Sequence, residues 1–111
     1  MAQQEEEKIV QETFRWLHRH PELSYEEVET TKRVREVLQE HDVTVLDSSL
    51  QTGLVAEVGA AGSADTEGPV VALRADIDAL PVTEETGLPY ASEIPGRMHA
   101  CGHDFHTSAL L

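Results

Sequence analysis

The sequence predicts an α/β layered domain, and three observations predict it. Two apolar stripes at helical spacing occupy roughly the first forty residues. Short β-branched runs bounded by turn residues follow them. One of those runs is apolar throughout rather than alternating, the pattern of a strand covered on both faces.

The first helix is predicted over residues 3–19, where Val10, Phe14 and Leu17 recur at i, i+4 and i+7. Glu5, Glu6 and Glu7 suit the positive end of its dipole. Pro21 ends it by disfavouring helix at His20. A second helix is predicted to start at Ser24 as N-cap, with Glu27 completing a capping box, and to run to Glu40 or His41. Its buried stripe is Val34, Val37 and Leu38. Strands are predicted at "VTVL" (43–46), "GLVAEVG" (53–59) and "PVVALRAD" (69–76), with a loop at "GAAGSADTEG" (59–68). The closing "HDFHTSALL" has helix-start character, with Asp104 near its beginning and an apolar side at Ala109, Leu110 and Leu111. No capping turn or further strand follows, so the sequence reads as truncated.

Composition narrows the function classes. The 111 residues match one ordinary domain, without internal repeats. Only five are aromatic, so any core must rest on Val, Leu, Ile and Ala. Twenty-one acidic against eight basic residues give a formal charge of −13, which disfavours nucleic acid and anionic membranes as partners. Lys8 and Lys32 are the only lysines. Such a surface fits either a high-salt cytoplasm, where carboxylates stay hydrated and salt screens their repulsion, or simply an acidic enzyme. A single cysteine forms no internal disulfide, and "MAQQEEEKIV" is acidic where a signal peptide would be basic. No apolar run approaches membrane-spanning length. The expected location is the cytoplasm.

The chemistry is concentrated in "MHACGHDFHTS" (98–108), which holds three histidines, the lone cysteine and an aspartate. In an extended segment His99, Cys101 and His103 would share a face. Thiolate and imidazole together suit zinc and, more broadly, cobalt, nickel or manganese. Gly102 allows a backbone conformation closed to other residues. Two other readings stay open: an inert buried thiol beside surface histidines, and Cys101 as a nucleophile with a histidine base. Alternation does not direct an imidazole onto its i±2 thiol, so metal binding is preferred. Upstream, Asp76 and Asp78 in "RADIDALP" follow a predicted strand and could supply an oxygen ligand or orient a ligating imidazole. Ser24 and Ser108 lack a nucleophile elbow. His18 and His20 read as surface or loop-bonding imidazoles, and His41 as a helix C-terminal residue.

"HRHPELSYEE", "LRADIDALPVTEETGLPYAS" and "MHACGHDFHT", in that order and separation, resemble the amidohydrolase branch of the M20 metallopeptidases. That branch includes hippurate hydrolases, N-acyl-amino-acid amidohydrolases and auxin-conjugate hydrolases. The resemblance covers essentially residues 8–111. It implies the N-terminal portion of a zinc-exopeptidase-like three-layer α/β catalytic domain with an incomplete sheet. It also implies two divalent metal ions (zinc, manganese, cobalt or nickel) in the complete enzyme, and a later dimerisation domain absent from residues 1–111. By the same resemblance Cys101 and His103 are metal ligands and Asp78 orients a ligand. Asp76, His99, Asp104 and His106 take supporting or substrate-side places; for His99 the resemblance overrides the alternation argument.

The chemistry so implied is metal-assisted hydrolysis of the amide in an N-acyl amino acid or related small conjugate, by an enzyme that pairs as a homodimer. The general-base glutamate and remaining ligands of such enzymes lie beyond this sequence, so the chain alone is expected to show little or no activity. The competing expectation is a non-catalytic remnant that binds metal weakly or associates with another chain.

Overall fold

The computed structural model describes residues 2–58, 69 and 71–111. The loop expected at 59–68, and Val70 within the expected third strand, lie outside the described residues. The elements in chain order are α1 (Ala2–Arg19), α2 (Val28–Glu40), β1 (Thr44–Val45), β2 (Ala56–Glu57) and α3 (His103–Leu110).

Helix α1 forms where the stripe predicts, and Leu17 is its most deeply buried apolar residue, at 1% exposure. Thr13 and His18 are buried on the same face, so the stripe reads Val10, Thr13, Phe14, Leu17, His18. The helix ends at Arg19, and the Arg19 carbonyl accepts from the Glu93 N–H at 2.9 Å. Helix α2 buries Val34 and Val37 as expected.

Its start is different from the capping box. Tyr25 adopts a left-handed backbone (φ 67°) within a turn closed by the Glu26 N–H on the Leu23 carbonyl, so exposed Ser24 is carried away from the helix end. The cap comes instead from the Glu22 carboxylate, which accepts from the N–H groups of Glu29 (3.1 Å) and Thr30 (2.5 Å). These are two of the donors that every helix N-terminus leaves unpaired, and the negative charge also suits the dipole.

The sheet is smaller than expected. Strands β1 and β2 pair antiparallel over two residues each, Thr44 with Glu57 and Val45 with Ala56. Gly53 leaves this ladder because its N–H donates to the Thr31 hydroxyl of α2 at 2.8 Å. The expected third strand is a correction: residues 71–76 are in no ladder, and Val71 and Leu73 are 80% and 75% exposed. A strand exists only through its neighbours' hydrogen bonds, and among the described residues none flanks 71–76. Downstream, isolated bridges join Leu23 to Ala79 and Leu80 to Met98, so the loop after Asp78 is pinned to the α1–α2 connection.

Glu22→Ala is expected to lower the unfolding free energy by about 0.5–2 kcal/mol, the usual cost of an N-cap side chain, in urea titrations followed by circular dichroism.

Candidate metal-ligand site

Helix α3 lies along the extended segment 76–78, and a match of lengths explains why. The Thr107 hydroxyl donates to the Asp76 carbonyl at 3.0 Å, and His103 Nδ1 donates to the Asp78 carbonyl at 2.9 Å. Four helical residues advance about 6 Å, and two extended residues about 6.6 Å. One helix face and alternate residues of an extended chain therefore stay in register over this span. His103 Nδ1 also reaches Asp78 Oδ1 at 2.9 Å. Two acceptors on one ring nitrogen require the proton there, which leaves Nε2 with its lone pair free. That is the arrangement in which a carboxylate orients a metal-ligating imidazole.

Gly102 starts α3 in the left-handed region (φ 102°). A Cβ would meet only the His106 ring at 3.8 Å, so conformation rather than space favours glycine. This bend corrects the extended-strand reading of 99–103. His99 is buried at 5% exposure, Cys101 is exposed and His103 opens a helix, so the three do not share a face. Among the described residues, neither ring nitrogen of His99 has a partner. Burial lowers its pKa below 6.5, and the charge of His18 adds to that, against the opposing charges of Asp104 and Asp78.

The remaining candidates separate. Asp76 forms an exposed pair with Arg74 at 2.8 Å, and His106 lies on the exposed side of α3. Asp104 is buried: Oδ1 accepts from the Phe105 N–H at 2.9 Å, and Oδ2 accepts from His18 Nδ1 at 2.7 Å. His18 is therefore no surface imidazole, contrary to the reading of "HRHPEL". Its Nε2 faces both Glu84 carboxylate oxygens, at 2.9 and 3.0 Å. Glu84, which nothing in the sequence singles out, also accepts from the Ser92 N–H at 2.8 Å and from the Thr86 hydroxyl. The rings of Phe14 and Tyr90 close over the imidazole, the latter edge-on at 5.6 Å. His20 instead bonds locally to the Trp16 carbonyl, and His41 donates to the Val37 carbonyl as the helix C-cap. The signal for His18 was positional: it stands four residues after Phe14 on the buried stripe.

Burial opposes a charge on His18, yet hydrogen bonds to Glu84 and Asp104, with their negative charges, outweigh it and raise the pKa above 6.5. Burial likewise pushes Glu84 up, but bonds from Thr86, His18 and Ser92 and the His18 charge carry it below 4.5.

Among the described residues no three His, Cys, Asp or Glu side chains gather into a metal cage. The chain itself presents the Cys101 thiol and the oriented His103 ring. The profile of Peptidase family M20/M25/M40 matches residues 72–111, the stretch that holds all of these candidate ligands. Over this stretch the chain is similar to the M20 family. An N-acetylcysteine deacetylase of Bacillus subtilis is 54% identical over 96 residues, which are 86% of this chain and 24% of that protein. An IAA-amino acid hydrolase of Arabidopsis thaliana is 47% identical over 97 residues, 87% of this chain and 21% of that protein. A B. subtilis dinuclear metal-binding peptidase of the M20 family superposes with a TM-score of 0.88 at 50% identity, covering 96% of this chain and 29% of that one. The chain thus spans about a quarter of the length of these relatives, and its fold superposes on part of the M20 peptidase's.

The opposite shifts of His18 and Glu84 set a stability window. Glu84 contributes fully above pH 4.5 and loses its contribution as pH falls through its lowered native value. His18 contributes fully below pH 6.5 and loses its contribution as pH rises through its raised native value. The urea midpoint is expected to be highest between these limits and to fall on either side; a midpoint flat above pH 6.5 would contradict the assignment.

Proposed function

We propose that this chain carries the first metal-ligand segment of an amidohydrolase that cleaves the amide bond of N-acyl amino acids or related conjugates. The observation that carries the reading is the His103–Asp78 contact, which leaves Nε2 of His103 free within the family-matched stretch. The names of the M20 relatives, a deacetylase and an amino-acid-conjugate hydrolase, support the substrate class.

In this reading Cys101 and His103 hold a divalent ion, zinc or manganese being suitable, and Asp78 fixes the His103 tautomer. A bound ion would supply Lewis acidity to the amide carbonyl and lower the pKa of water. Asp78 keeps the proton on Nδ1 of His103, so Nε2 approaches the ion as a neutral donor. The Cys101 thiolate contributes negative charge beside it. A two-ion site, the general base and a dimerisation domain belong to the complete enzyme in this proposal, which works in the cytoplasm as a homodimer without nucleic acid or membrane. Asp76, His99 and His106 have supporting or substrate-side places.

A second reading has its own observation. Exposed Val71 and Leu73 lie on a segment without strand partners among the described residues, which favours association with further strands or another chain. Purified chain that turns over an N-acyl amino acid, loses the activity to chelator and regains it with metal, would remove the non-catalytic reading. The expected result is little or no turnover.

Cys101→Ser and His103→Ala, placed in the chain or at the matching positions of a full-length relative, are expected to weaken metal binding at least about tenfold. Equilibrium dialysis with zinc reads the loss; full retention of metal would refute the ligand assignment. The acidic surface supports a high-salt setting, so the thermal midpoint is expected to rise in molar salt. Indifference to salt would favour an ordinary acidic surface.

A further inference from the structure

His18 stands outside every ligand position discussed above, yet it joins three segments of the chain. It lies one residue before the end of α1, Glu84 lies in the loop pinned to the α1–α2 connection, and Asp104 lies in the first turn of α3. All three side chains are almost fully buried, at 7%, 3% and 4% exposure.

Each ring nitrogen faces a carboxylate: Nδ1 meets Asp104 Oδ2 at 2.7 Å and Nε2 meets Glu84 at 2.9 Å. A neutral imidazole has one N–H and would turn a lone pair toward one of these oxygens. The geometry therefore calls for an imidazolium that donates from both nitrogens. Around it stand Phe14 and Tyr90, with the Arg15 guanidinium on the Tyr90 ring at 5.5 Å. His99 is near enough to feel its charge.

The consequence concerns how α3 is held. His103 and Thr107 bind segment 76–78 along one line of the helix. That line alone would let an eight-residue helix rock about it. Asp104 projects about 100° further round the axis, and it is there that His18 takes hold. Two lines of attachment define the rotation of a helix where one does not.

We propose that His18 is a positioning residue for the metal-ligand site: clasped between Glu84 and Asp104, it sets the rotation of α3 and thereby holds the His103 ring against Asp78. This rests on the reading of His103 as a ligand only for its functional meaning; the positional claim is separable.

The test uses the whole 111-residue chain with cobalt(II) as the only added metal. Long-range nitrogen–proton NMR of the unaltered chain at neutral pH is expected to show both His18 nitrogens protonated and His103 protonated on Nδ1. A neutral His18 ring, or a His103 ring protonated on Nε2, overturns the proposal without any variant having to fold. His18→Gln is expected to weaken cobalt binding about ten- to a hundredfold and to leave His103 as a mixture of tautomers. Charge alone predicts the reverse, because this substitution removes a positive group that repels the ion. Unchanged or tighter binding would therefore defeat the positioning role. Cobalt absorption separates the two claims. If the unaltered chain shows no thiolate-to-cobalt band, or Cys101→Ser keeps it, the ligand reading fails. The His103 tautomer in His18→Gln then still decides the positional claim.

Discussion

A buried imidazole with a carboxylate at each nitrogen is the contact on which the rest of this chain depends. Through it the end of α1, the loop at Glu84 and the first turn of α3 meet at one point. Removing water from three ionisable groups is costly, and a well-packed apolar trio could be as stable. Breaking such a cluster from one side, however, leaves a buried charge unmatched, at a cost of about 3–5 kcal/mol. The arrangement therefore specifies a position more than it adds stability. Apolar contacts tolerate a helix sliding or turning, whereas two charged hydrogen bonds on opposite sides of a ring do not.

The surrounding core has the same character. Its buried hydrophobic members are few among the described residues: Leu17, Val34, Val37 and Ala79. Thr13, Thr30, Thr31, Thr107 and Ser108 are buried beside them. Several of these hydroxyls serve as stitches: Thr31 donates to the Glu27 carbonyl and accepts from Gly53, and Ser108 donates to the Asp104 carbonyl. Local order here comes largely from directional bonds between neighbouring segments. That suits a region proposed to present two ligand side chains, since hydrogen bonds define orientation where dispersion contacts define only proximity.

The ligand segment shows how backbone and side chains divide that task. Gly102 takes a left-handed turn, which ends the run from Met98 and starts α3. Together with the turn that the Ala100 N–H closes on the Met98 carbonyl, it separates the three: His99 is buried, Cys101 exposed, and His103 on the helix. The match between helical and extended rise then brings Asp78 to Nδ1 of His103, so that backbone periodicity presets a proton's position.

Much of this was legible in the residues. The stripe of α1 and the stop at Pro21, the stripe of α2, the density of ligand types around Cys101 and the need for glycine at 102 are all local properties, and local properties survive in sequence. So are the motifs that resemble the M20 family, because they are contiguous strings. What the sequence misplaced depends on partners far along the chain. Ser24 has the chemistry of a cap, but Glu22 takes that role once Tyr25 turns the backbone. Residues 71–76 have strand composition, but pairing belongs to neighbours and not to composition. His18 has the spacing of a buried residue and the identity of a surface one. Only the folded chain, which brings Glu84 across 66 residues and Asp104 across 86, supplies the two charges that make its burial possible.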